Sequence, residues 1–160
     1  MNLFPGWLMK VITRQKPSES FDFIHFRMKG GLMLKAKDIM SKTVTTIRSD
    51  ETLQDAIQLL VCKEISGLPV VDEREKMVGI ITEKDILNFV FSGNLKNTRV
   101  ADVMSKEVVC FSPETDVDII ALAVGQNKFR RVPIVDGDKV VGIVSRRDII
   151  RSALDLHCRL

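Results

Sequence analysis

Short apolar runs and stretches of helical period alternate along this chain in one order, and the order is written twice. In the first copy Val44 to Ile47 predicts a strand, and Thr52 to Glu64 predicts a helix with Thr52 as its N-cap. Leu53, Ala56, Ile57 and Leu60 fall on one face of that helix. Leu68 to Val71 and Met77 to Ile81 predict strands joined by the polar turn Asp72 to Lys76, and a second helix runs from Glu83 to Phe91. In the second copy Val108 to Phe111 is a strand, and Asp116 caps a helix whose apolar set is Val117, Ile120, Ala121 and Val124. Val132 to Val135 and Lys139 to Val144 are strands around Asp136-Gly137-Asp138, and Arg146 to Leu156 is the last helix.

The copies are related residue by residue. Asp38-Ile39-Met40-Ser41-Lys42-Thr43-Val44 returns as Asp102-Val103-Met104-Ser105-Lys106-Glu107-Val108, at an offset of 64 that holds to Asp72 and Asp136. One residue is then lost in the second turn. The offset becomes 63 for Gly79-Ile80-Ile81-Thr82-Glu83-Lys84-Asp85 and Gly142-Ile143-Val144-Ser145-Arg146-Arg147-Asp148. Residues 1–34 match nothing later in the chain and read as a loosely held N-terminal extension. Residues 35–91 form the first repeat, 92–98 a linker, 99–156 the second repeat and 157–160 a tail. In the extension, the run from Phe21 to Phe26 fits an added strand or a short helix, and its aromatic residues could instead dock on the body or on a second chain. Two units this small cannot bury their apolar faces alone, so the repeats are expected to pack as one module.

The Thr82–Asp85 and Ser145–Asp148 pairs admit two readings. A hydroxyl followed three positions later by an acid is a capping box, which stabilises a helix start and needs no other purpose. The same two groups lie on one face beside unpaired backbone N–H groups, a place suited to a ribose and a phosphate. A single copy favours the cap; the duplication favours the ligand.

Composition narrows the classes of function. The chain has 160 residues, 45% hydrophobic and 28% charged, and suits one soluble domain. No apolar run approaches a membrane span, and Pro5, Gly6 and Lys10 interrupt the apolar N-terminus, so neither a signal peptide nor an anchor is expected. The net charge of +3 lies in residues 1–34, which hold five basic and two acidic residues and leave 19 of each sign in the rest. A neutral body argues against nucleic-acid binding. Cys62, Cys110 and Cys158 have no metal spacing, and Cys62 and Cys110 fall in apolar stretches as core residues. A reducing, cytoplasmic compartment is expected. The chain shows no nucleophile–base pair, metal cluster, paired carboxylates or P-loop, so an enzyme is not expected.

The duplication resembles a pair of CBS domains, a Bateman module. The resemblance covers about residues 35–155. It is carried by Asp38-Ile39-Met40 and Asp102-Val103-Met104, by Leu68-Pro69-Val70-Val71-Asp72 and Val132-Pro133-Ile134-Val135-Asp136, and by the two Gly-x-x-Thr/Ser-x-x-Asp stretches. It implies an α/β (α+β) fold of two βαββα repeats related by a pseudo-twofold axis, with three-stranded sheets packed together and helices outside. It also implies two clefts between the repeats that bind AMP, ADP, ATP or S-adenosylmethionine as a regulatory ligand, with no cofactor required, and a homodimer formed through the helices.

Carried onto this chain, the first cleft holds Thr82 and Asp85, with Val109 on the facing strand and Arg130 and Arg131 before Val132-Pro133. A carboxylate accepts from both ribose hydroxyls, guanidinium groups fork onto phosphate, and Val109 lies against the adenine. The second cleft holds Ser145 and Asp148, with Thr45 on the facing strand and Ser66 and Gly67 before Leu68-Pro69. Its pre-proline segment lacks basic residues, so phosphate is expected in the first cleft, and in the second only if Arg146 or Arg147 supplies the charge. The leading function is a stand-alone sensor that acts on a separate, unknown protein. The alternative is a dimerising scaffold that has kept the fold and lost its ligand.

Overall fold

The computed structural model describes residues 10–11, 34–91, 93–127 and 129–157. The run from Phe21 to Phe26, His25 and Cys158 lie outside them. In chain order the elements are β1 (Lys10–Val11), α1 (Ala36–Ile39), β2 (Ile47–Arg48), α2 (Leu53–Cys62), β3 (Gly67–Val71), β4 (Met77–Thr82) and α3 (Glu83–Leu87). Then come α4 (Val100–Val103), β5 (Val109–Cys110), α5 (Val117–Gln126), β6 (Arg131–Asp136), β7 (Lys139–Ser145) and α6 (Arg146–His157). The fold is α/β, and each repeat after its opening turn reads β-α-β-β-α.

In the first repeat the sheet order is β2-β3-β4, with β2 parallel and β4 antiparallel to the central β3. Leu53, Ala56 and Leu60 of α2 and Ile86 of α3 pack on Leu68, Val70 and Ile81 of that sheet. The second repeat repeats this with Phe111, Ile120, Ala123, Val124, Val132, Ile134 and Val144. Here Ala123 replaces Val117 and Ala121 as the buried partner of Ile120 and Val124. Between the two cores Met77, Val108, Cys110 and Val135 form a third apolar cluster. Burial pushes the Cys110 thiol up to about 11, which makes it an unreactive packing group. Cys62, expected in the core, ends α2 and is exposed.

Each β-hairpin carries a proline in its first strand, where a central strand normally rejects one. The register explains why it is tolerated. Pro133 stands opposite Ile143, and the Ile143 N–H and carbonyl are bonded to Ser41 instead, at 3.0 and 2.9 Å. On the other edge Phe111 N–H donates to the Pro133 carbonyl and Val135 N–H to the Phe111 carbonyl, at 3.1 and 2.8 Å. The next bond of a parallel ladder would need an N–H on Pro133, so the ladder ends at Phe111. The strand expected over Val108 to Phe111 is therefore tied to its own sheet by one bridge, and β5 pairs instead with β1, Lys10 against Val109. In the first repeat Pro69 faces Ile80 and the strand expected over Val44 to Ile47 starts only at Ile47. Residues 43–46 lie outside the sheet, and Thr43 and Thr45 among them line a cavity.

The opening turns of the repeats are exchanged in space. Ala36 of α1 is buried in the second core, and Ala36 and Lys37 N–H groups donate to the carbonyls of Thr115 and Pro113 at 2.8 and 3.0 Å. Val100 of α4 is buried in the first core, and Val100 and Ala101 N–H groups donate to Glu51 and Ser49, both at 2.9 Å. Ser105 pairs with Ile80 by two bonds of 2.9 Å as Ser41 does with Ile143. The two motif glycines permit this approach. A Cβ on Gly79 would lie 2.7 Å from Met104 Sδ and 2.9 Å from the Ser105 carbonyl, and one on Gly142 would collide with Met40. Asp116 heads α5 without accepting a side-chain cap bond, and its carboxylate instead takes Lys35 Nζ at 3.4 Å.

Candidate functional site

β4 and β7 each run straight into a helix, and the junction is built the same way in both repeats. Asp85 Oδ2 accepts from Thr82 N–H at 2.9 Å and from Thr82 Oγ1 at 2.6 Å. Asp148 Oδ2 accepts from Ser145 N–H at 2.8 Å and from Ser145 Oγ at 2.6 Å. Both bonds fall on one oxygen in each case, so the second oxygen of each carboxylate keeps its lone pairs for another donor. A third box of the same form, Thr52 with Asp55, opens α2 with bonds of 3.1 and 2.6 Å. The box is thus a capping device wherever it occurs, and a ligand role must come from what faces it.

What faces the second box is a cavity of about 210 Å³. Ser145, Asp148, Ile143 and Arg131 of the second repeat form one wall. Ser41, Thr43, Thr45, Ile65 and Gly67 form the other. The structure thus brings together Thr45, Gly67, Ser145 and Asp148, four of the residues assigned to the second cleft. Ser66 does not line the cavity; its carbonyl accepts the Glu83 N–H at 3.2 Å. Arg146 and Arg147 are exposed, and Arg146 Nε donates to the Phe129 carbonyl at 2.6 Å. Arg146 also lines a shallow surface groove beside Ala121, Val124 and Ile150, on the outer face of α5 and α6.

Of the residues assigned to the first cleft, Thr82 and Asp85 hold the box of α3. Val109 packs against the second core. Arg130 is exposed and its carbonyl accepts the Arg146 N–H. Arg131 lines the second cavity, where the sequence reading had placed it in the first. The reason is hairpin register: Arg131 pairs with Ser145, and directly opposed residues project from the same face. Its Nε is buried and has no hydrogen-bond partner among the described residues. A buried unpaired donor of this kind costs about 1–3 kcal/mol until something accepts from it.

Ser41, Thr43, Ile65 and Ile143 were also missed as lining residues. Each stands two or four positions before a residue that was found: Thr45, Gly67 or Ser145. Alternation along extended chain puts such residues on one face, and that signal was present in the sequence.

The CBS domain family model matches residues 36–92 and 100–155, and the chain belongs to that family. Among curated proteins it is 37% identical over 118 residues to inosine-5'-monophosphate dehydrogenase of Methanocaldococcus jannaschii, covering 73% of this chain and 23% of the enzyme. The chain spans about a quarter of that relative's length. Among solved structures it is similar to CBSX2 in complex with AMP, with a TM-score of 0.70, 29% identity, and 77% and 98% of the two chains covered. It is also similar to the CBS domain pair of protein MJ0100 in complex with 5'-methylthioadenosine and S-adenosylmethionine, with a TM-score of 0.68, 34% identity, and 78% and 98% covered. Among the described residues no helix is long and apolar enough to cross a membrane.

Proposed function

We propose that this chain senses an adenosine-containing ligand, AMP, ADP, ATP or S-adenosylmethionine, in clefts between its two repeats, and acts on a separate partner protein. The observation that carries this reading is the cavity shared by the repeats, where the Ser145–Asp148 box of one faces Thr43, Thr45 and Gly67 of the other. Asp148 would take the ribose hydroxyls, and Thr45 and Ile65 would border the base. Thr82 and Asp85 would do the same work in the first cleft, with Val109 beside the base. The AMP complex of CBSX2 and the two adenosine ligands of the MJ0100 pair support the ligand class. Because the walls belong to different repeats, a ligand that prefers one spacing of them shifts their arrangement.

Calorimetric melting with AMP, ATP, 5'-methylthioadenosine and S-adenosylmethionine tests the proposal. A ligand at a hundred times its Kd adds about 2.7 kcal/mol to stability. No shift with any of the four would refute it.

A second reading, a dimerising scaffold without ligand, draws on two observations. The Thr52–Asp55 box shows that capping alone accounts for such a pair. Val61, Leu87, Phe91, Ile150 and Leu154 are large apolar residues left exposed on or just after the helices. The homodimer is common to both readings; ligand binding separates them.

A further inference from the structure

The pseudo-twofold relation between the repeats breaks at the stretch of extended chain that opens each one. At the offset of 64, Thr45 and Thr46 of the first repeat correspond to Val109 and Cys110 of the second. Thr45 and Thr46 lie outside any strand, and Thr45 lines the cavity beside Ser145 and Asp148. Val109 and Cys110 form β5, and what makes them a strand is β1: Lys10 pairs with Val109 and Val11 with Cys110, in parallel. Their own sheet is reached at the next residue, Phe111, bridged to Ile134.

The extension thus adds a strand at the residues of the first cleft that match an open wall of the second. Pro133 ends the ladder at Phe111 and leaves the backbone of residues 109–110 to find other partners. Residues 10–11 supply them, as an added strand does at any open sheet edge. Neighbouring strands lie about 4.8 Å apart, so β1 fills room beside the Val109 backbone that a base bordering Val109 would need. Thr45, by contrast, borders a cavity of about 210 Å³.

Resting on the adenosine reading above, we infer that residues 10–11 are an internal competitor for the first cleft: with β1 paired to β5 the cleft is closed to an adenosine ligand, and binding there requires the strand to leave. The second cleft, whose wall at Thr45 and Thr46 lies outside any strand, fills first. A ligand that binds the released form alone has its affinity for the first cleft reduced by the fraction of chains in that form. Linkage runs both ways, so the ligand in turn favours release of β1. Occupancy of the first cleft is thereby converted into detachment of the one segment that lies outside the duplication.

The test uses the full chain with Asp148→Ala, which leaves the first cleft as the site measured, and the same chain with Lys10→Pro and Val11→Pro added. The two prolines remove both amide hydrogens of β1, whichever the ladder uses, and lie outside both repeats. Each chain is titrated calorimetrically with AMP, ATP, 5'-methylthioadenosine and S-adenosylmethionine. At least one of the four is expected to bind the proline chain roughly tenfold tighter or more, and adding Asp85→Ala should abolish the gain. In the wild-type chain, saturation with that ligand should speed amide exchange at residues 10–11. No gain with any of the four, or slower exchange at residues 10–11, would overturn the inference while wild-type binding lost in Asp148→Ala left the adenosine reading standing. A wild-type chain that binds none of the four would overturn both.

Discussion

The chain contains its own control for the role of its carboxylates. Asp55, Asp85 and Asp148 sit in boxes of one geometry, each with a hydroxyl at 2.6 Å. Asp148 lines the cavity and Asp55 does not. Replacing any of the three by alanine removes two hydrogen bonds at a helix start, a loss of about 0.5–2 kcal/mol. For a domain of this size each kcal/mol moves the midpoint about 2–4 °C, so all three variants should melt a few degrees below wild type. Their ligand affinities should part. Asp148→Ala also removes a charged acceptor for ribose hydroxyls, worth about 1.5–3 kcal/mol, or roughly tenfold to a hundredfold in Kd. Asp55→Ala should leave Kd within about twofold. Melting by circular dichroism and titration with the nucleotide that stabilises wild type most would measure both quantities on the same three proteins. If Asp55→Ala and Asp148→Ala weaken binding equally, the effect passes through stability and the carboxylate has no role beyond its helix. If Asp148→Ala binds like wild type, the cavity is not where the ligand sits.

Three further outcomes are expected. Gly79→Ala forces a Cβ against the Ser105 carbonyl, which cannot rotate away, and should cost about 1–3 kcal/mol; in combination with Met104→Ala its penalty should shrink, and strict additivity would show that the close approach is not what the glycine serves. Bonds from Thr52 hold the Asp55 carboxyl below its ordinary 3.8, so its contribution is complete above that value and disappears as pH falls through the lower folded one; acid unfolding of Thr52→Val, followed by far-ultraviolet circular dichroism, should show a shallower loss below about pH 4. Phe91, at 94% of its free surface, and Leu154 of α6 are exposed, so Phe91→Glu with Leu154→Glu should halve the mass measured by sedimentation if these residues join two copies, and a wild-type monomer would exclude the homodimer.

Much of this architecture is legible in the chain because the duplication reports it twice. The stripe of α2, the two hairpins and the three boxes follow from local spacing, and local spacing is what a sequence displays. The exchange of α1 and α4 is not legible. A four-residue helix that buries a single Ala36 or Val100 carries no mark of which core receives it, and both cores offer apolar surface. The short parallel strands were overextended for a related reason: Val44 to Ile47 and Val108 to Phe111 have strand composition, but a proline immediately before the paired residue in the partner strand stops the ladder. Gly79 and Gly142 look like part of a binding motif and are in fact sites of close packing.

Arg131 shows how the site itself was misjudged. Its place before Pro133 pointed across the module, toward the first cleft. A plain count back from the Asp136-Gly137-Asp138 turn would set Arg131 against Val144, but a one-residue bulge between Ile134 and Val135 shifts the register, pairing Val132 with Val144 and Arg131 with Ser145. Two residues paired across an antiparallel hairpin project from one face, which sets Arg131 beside Ser145 in the cavity. A bulge between Val70 and Val71 does the same in the first repeat and pairs Gly67 with Thr82, yet Gly67, which has no side chain to direct, lines the cavity of Ser145 and Asp148. The cavity is lined by the strand ends of both repeats, and a single glycine-to-arginine difference between them is enough to give two folded halves of one design unequal chemistry.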